Sequence, residues 1–137
     1  MNERAPYVWQ MRGAGIAAVA FGALTLRSGG SVLFGDGAQV AGNFVGFVLW
    51  FNFLAGFAYV AAGIGLWLQR GWSAWLALAL AAGTLVFFAA FGVHIAAGGA
   101  FETRTAVAMT LRSVFWILVT LLAFRAAGRR RCVQPAP

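Results

Sequence analysis

FVGFVLWFNFLAGFAYVAAGIGLWL, from Phe44 to Leu68, runs twenty-five residues without a charge. As a helix it is about 37 Å long, against a hydrocarbon core of about 30 Å, so it crosses a bilayer with tilt. Asn52 and Tyr59 stand seven apart on it and share one face. Three further apolar stretches accompany it. Trp9 to Leu26 gives about 27 Å of helix, and Trp72 to Ala97 and Thr105 to Phe124 are of similar or greater reach. The expected architecture is therefore all-α: an integral membrane four-helix bundle in one domain, with spans at about 9–26, 44–68, 72–97 and 105–124.

Composition agrees. The 137 residues are 62% hydrophobic and 9% charged, where a soluble domain carries about 25% charged residues. A chain this poor in charge cannot solvate its own surface, so lipid must cover it. The net charge is +7 and all ten basic residues are arginine. They flank apolar segments rather than forming one basic stripe, which points to membrane topology and away from nucleic acid. The lone Cys132 excludes an internal disulfide or a thiolate metal cluster; beside Arg129, Arg130 and Arg131 it reads as a reduced cytoplasmic thiol, with a lipidated juxtamembrane cysteine as the alternative. The first apolar stretch imitates a signal peptide, but Arg27 follows at once and no Ala-x-Ala site is present, so it is read as an uncleaved span.

Glycine marks the boundaries. Ser28-Gly29-Gly30-Ser31 and Gly35-Asp36-Gly37 make 27–43 a loop, Gln69-Arg70-Gly71 a tight turn, and Gly98-Gly99 a break. Residues 125–137 form a basic tail. Ala14, Ala18 and Gly22 recur every four residues, a small-residue face for close helix contact. Trp9, Trp67, Trp72 and Trp75 gather at one depth as an aromatic belt. Seven arginines (Arg4, Arg12, Arg70, Arg125, Arg129, Arg130, Arg131) fall on one side and three (Arg27, Arg104, Arg112) on the other. The positive-inside rule then puts both termini in the cytoplasm.

The polar residues concentrate toward the other side. Between His94 and Arg112 lie the only histidine, Glu102, Arg104 and Arg112. Arg27 and Asp36 belong to the expected loop on that same side. Asn52 sits about 12 Å below the surface and Arg112 about 10 Å by helix rise, while His94 is only about 5 Å down. A guanidinium at that depth needs a partner or water. Arg27, Asp36, Asn52, His94, Glu102, Arg104 and Arg112 thus form a candidate outer polar cluster. The favoured expectation is a structural clasp, in which Glu102 pairs Arg112 and His94 bonds a backbone carbonyl. The competing one is a site for a small anion or lipid headgroup.

Catalysis finds no support. One histidine cannot build a two-histidine zinc or haem site, Ser113 has no base at a recognisable spacing, and none of Glu3, Asp36 or Glu102 lies deep enough for proton-coupled transport. No catalytic residue, metal ligand or cofactor is expected. The segments Gly42 to Tyr59, Gly98 to Thr105 and Ala108 to Arg112 resemble a family of small uncharacterised bacterial four-span inner-membrane proteins. In size and span number the chain is also similar to DoxX-like proteins. The resemblance implies a four-span fold and carries over no activity. The leading functional expectation is a non-enzymatic inner-membrane protein that acts by association, as an accessory subunit or scaffold, with the lipid bilayer and a homo-oligomer or larger membrane complex as partners. The alternative is a binding or transport module for a small anion or lipid headgroup, working as an oligomer.

Overall fold

The computed structural model describes residues 4–133, with the side chains of residues 4, 5, 41 and 130–133 left aside. The chain is all-α: α1 (Arg4–Phe34), α2 (Gly37–Ala41), α3 (Gly46–Trp67), α4 (Trp72–Ala96) and α5 (Thr103–Val133). Four of these helices are long and apolar enough to cross a membrane, so this is a multi-pass membrane protein in contact with lipid. Many large apolar side chains are exposed, among them Leu24, Leu54, Phe57, Trp75, Val86 and Leu118, as a lipid-facing surface requires. The long helices run up and down in chain order. One end of the bundle, here the termini end, holds the chain ends and the α3–α4 turn. The other, the loop end, holds α2 and the α4–α5 connection.

Three boundaries differ from the sequence expectation. Residues 27–34 are helical, so α1 continues well past Arg27. Gly29 serves packing rather than a turn: it is buried, and a Cβ there would stand 3.3 Å from the Phe53 side chain. The Ser31 hydroxyl donates back to the Ser28 carbonyl at 2.9 Å, as serines in helices do. The chain turns only at Gly35 and Asp36, and the expected loop contains the short α2. At the other terminus, α5 runs through the expected tail to Val133. Alanine and arginine are good helix formers, and Arg129 lies 4.7 Å over the Tyr7 ring of α1. The Cys132 side chain lies outside the described residues.

The two expected turns are present and share one construction. After α3, the Arg70 N–H donates to the Gly65 carbonyl and the Gln69 N–H to that of Leu66. After α4, the Gly99 N–H donates to the His94 carbonyl and the Gly98 N–H to that of Ile95. Both are Schellman motifs, which need a left-handed residue just past the helix. Gly98 takes this role at φ 84°, and Gln69 takes it at φ 54° with a side chain to accommodate.

Packing is uneven. α1 and α3 approach most closely, along a ridge of Gly15, Ala18 and Gly22 against Gly56 and Gly63. The spacing is i, i+3, i+7, so Gly15 rather than Ala14 makes the contact. A Cβ on Gly15 would meet the Gly63 carbonyl oxygen at 2.7 Å, and one on Gly63 would meet that of Gly15 at 2.7 Å. α4 packs on α5, and α3 on α4. The α1 and α5 backbones approach each other far less; that seam is filled by long side chains, including Phe21 and Phe115 at 5.3 Å between ring centroids.

Candidate functional site

The seven polar residues singled out in the sequence separate into three groups. Arg27, Asp36 and Arg104 are exposed. Asp36 stands before α2 without capping it through its side chain.

His94 and Glu102 are half-buried and tie the loop end together. Oε1 of Glu102 accepts from the Asn43 N–H at 3.1 Å and so joins the α4–α5 connection to the segment before α3. Gly42, at φ 69°, lies so close beneath this carboxylate that a Cβ would strike it. His94 Nε2 lies 3.2 Å from the Ala100 carbonyl oxygen. A carbonyl only accepts, so this nitrogen carries the proton. His94 thus bonds a backbone carbonyl, but the expected Glu102–Arg112 pair is not formed: Glu102 holds a backbone N–H instead.

Asn52 of α3 and Arg112 of α5 are the two buried members. α5 begins at Thr103, so Arg112 lies nine residues, or about 13 Å, along the helix from the loop end. Only 8% of it is exposed. Its Nη2 donates to the Thr25 hydroxyl of α1 at 3.4 Å, a long contact, and its guanidinium stands 5.6 Å over the Phe21 ring. Its Nε has no partner. Glu102 is ten residues away, about 15 Å along the helix, and faces Asn43.

Around Arg112 the helices deliver further polar groups that are buried in apolar surroundings. Tyr59 comes from α3, seven residues beyond Asn52; Thr84 comes from the middle of α4; Trp116 follows Arg112 by one helical turn. All three are fully buried. Tyr59 contacts the Trp116 ring at 4.9 Å between centroids and stacks on Phe21 at 5.9 Å. Its hydroxyl faces Thr84, Trp116 and Arg112 in loose side-chain hydrogen bonds that fall outside strict geometry. The Asn52 Oδ1, Tyr59 hydroxyl, Thr84 Oγ1, Arg112 Nε and Trp116 Nε1 atoms are all buried without a partner in strict geometry. Most buried polar atoms in folded proteins are paired; four of these five belong to Tyr59, Thr84, Arg112 and Trp116, which face one another within the packed core. Two of the five, Arg112 Nε–H and Trp116 Nε1–H, can only donate.

Sequence reasoning placed Arg112 and Asn52 below the surface and Tyr59 on the Asn52 face, but it missed Thr25, Thr84 and Trp116. A signal was present for Trp116: an indole at mid-span, remote from the interfacial belt, needs a partner for its N–H. An open cleft of about 630 Å³ also lies at the termini end, lined by Arg70, Trp72, Trp75 and Phe124. Among the described residues, no group of three or more His, Cys, Asp or Glu residues is arranged to hold a metal. Comparison with protein-family models, with curated proteins and with solved structures finds no match to the chain.

Proposed function

We propose that the chain is a non-enzymatic membrane binding module centred on the buried polar cluster around Arg112, with a ligand that carries a negative charge. One observation carries this reading: the permanently charged Arg112 guanidinium, buried in a membrane-spanning helix, pairs with no acid among the described residues and leaves its Nε–H without a close partner. Such a charge costs about 2.5–3.5 kcal/mol on insertion scales unless it is compensated. An anion supplies the compensation, and the Tyr59, Thr84 and Trp116 groups offer it hydrogen bonds. Purified wild type and Arg112→Gln, in a neutral detergent, test this by native mass spectrometry with chloride, acetate, phosphate and native lipid extract. Retention of an anionic species by wild type and its loss in an equally folded variant is the expected result. Equal retention, or none in either, sinks it.

Association as an accessory subunit or scaffold is the second reading. The small-residue ridge that motivated it is occupied within the chain, between α1 and α3. What favours it is an edge-to-face ladder of Phe34, Trp50, Phe53 and Phe57 along the lipid side of α1 and α3. A monomer without partners after gentle extraction would count against it, and against an oligomeric binding module too.

The same proposal places both termini in the cytoplasm and the chain in a bacterial inner membrane. Seven arginines at the termini end against three toward the loop end support that orientation. A periplasm-active reporter fused after Pro137 should be silent, and one inserted at Gly35–Gly37 should be active; the reverse pattern inverts the topology.

A further inference from the structure

We infer that the open cleft at the termini end holds the headgroup of an anionic phospholipid, drawn from the leaflet that meets that end of the bundle. The site is separate from the Arg112 cluster: Phe124, on its wall, follows Arg112 by twelve residues, or about 18 Å along α5.

The room comes from small residues. The α3–α4 turn and the start of α4 face the far end of the α5 span, with Gly71 and Ala74 on one side and Ala123, Ala127 and Gly128 on the other. A Cβ on Gly71 or Gly128 would meet nothing within 4 Å, and neither glycine takes a positive φ. They serve no tight helix contact and no unusual dihedral; they leave space. About 630 Å³ is open there, inside the range of about 300–1,000 Å³ that ligand sites occupy.

Depth identifies the occupant. Trp9, Trp67, Trp72 and Trp75 are exposed at this end, as tryptophans of a membrane interface are. From Ala123 to Gly128 the cleft runs about 7 Å along α5, which matches a headgroup layer of about 5–7 Å. Near its deep end, Trp75 and Phe124 meet edge to face at 5.3 Å, joining α4 to α5. One turn deeper, Leu78 and Leu121 are exposed, so apolar surface for acyl chains begins where the cleft ends.

Charge sets the class. Arg70 is the charged residue of the lining. Its backbone is engaged in the turn: the N–H donates to the Gly65 carbonyl, and the carbonyl accepts from the Ser73 hydroxyl at 2.6 Å. Its side chain is exposed and has no acid or ring as a partner among the described residues. Arg12 and Arg129, at the same end, lie instead over Trp9 and Tyr7. The two described acids, Asp36 and Glu102, both belong to the loop end, so no carboxylate competes for Arg70. A phosphodiester is the anion native to this depth, and basic residues beside a span attract anionic lipids. A headgroup with its own ammonium gains less, because the surrounding arginines repel that cation.

The purified chain in a neutral detergent is titrated with phosphatidylglycerol, with phosphatidylcholine of the same acyl chains and with glycerol phosphate, and read by native mass spectrometry. Wild type should retain phosphatidylglycerol over phosphatidylcholine by about tenfold, the factor that one charged hydrogen bond supplies. Arg70→Gln should lose that preference. Arg125→Gln removes the same charge at the same end from an exposed residue outside the lining, and should keep it. Both variants retain Arg112, so any anion held there cancels from the comparison. Gly128→Leu fills the cleft at unchanged charge and should lower phosphatidylglycerol retention severalfold. Equal retention of the two lipids by wild type, or equal loss of preference in Arg70→Gln and Arg125→Gln, overturns the proposal. So does glycerol phosphate binding as tightly as phosphatidylglycerol, which would make the cleft a site for a soluble anion. A lipid-free dimer that Gly128→Leu dissociates would assign the cleft to a second copy of the chain and overturn it as well.

Discussion

Gly63→Ala should weaken the fold although alanine is the better helix former. The new Cβ would lie 2.7 Å from the Gly15 carbonyl oxygen and 2.8 Å from the Val19 amide nitrogen. Both atoms are backbone of α1, so no rotamer change relieves them. Reaching even 3.0 Å requires α1 and α3 to part by 0.3 Å, along a ridge that also holds Gly22 against Gly56. Overpacking of this kind costs about 1–3 kcal/mol, offset by roughly 1 kcal/mol of helix propensity, for a net loss of about 0–2 kcal/mol. Gly92→Ala on α4 is the matched control: nothing lies within 4 Å of its Cβ position, so only the propensity gain of about 0.5–1 kcal/mol remains. The two variants should therefore differ by about 1–3 kcal/mol. Unfolding by sodium dodecyl sulfate in mixed micelles, followed by circular dichroism, reads this difference. Adding Gly15→Ala to Gly63→Ala should cost less than the sum of the two, because the same gap has already been opened. If Gly63→Ala is no less stable than Gly92→Ala, the close α1–α3 approach is wrong.

Arg112→Met should fold at least as well as wild type in the absence of ligand, because it removes an uncompensated charge of the order of 2.5–3.5 kcal/mol; a stability loss above about 1 kcal/mol would show that the Thr25 and Phe21 contacts are structural. Glu102→Gln should be nearly silent in the same unfolding assay, since a Gln carbonyl still accepts from Asn43, while Glu102→Ala should lose about 1 kcal/mol. Gln69→Gly should stabilise by up to about 1 kcal/mol by relieving a left-handed residue that carries a side chain; destabilisation would mean that the Gln69 side chain matters more than its backbone.

The four spans were legible because their signal is one-dimensional: a run of apolar residues long enough to cross a bilayer shows without any knowledge of neighbours. Gly98-Gly99 was legible for a related reason, since a left-handed C-cap is a local requirement. Gly29 and Gly30 were misread as a turn because glycine answers two needs, unusual dihedrals and close approach, and only Phe53 opposite distinguishes them. Arg112 was found by depth alone, but its surroundings were not. Glu102 was the nearest acid in sequence, and Thr25, 87 residues away, becomes a neighbour only once α1 is seen beside α5. Thr84 gave no sign at all, because one threonine in an apolar helix is unremarkable until three other helices bring polar atoms to it.

The close docking of α1 on α3 also bears on the order of biogenesis. These spans leave the ribosome before α4 and α5, and their glycine ridge lets them mate before the later pair is made. When α5 follows, its arginine meets a finished hairpin that already presents the Thr25 hydroxyl and the Phe21 face, rather than bare hydrocarbon. The early half of the chain is thus a template for partitioning the late half, and α5 offered to the translocon alone would be a poorer membrane segment than its apolar length implies.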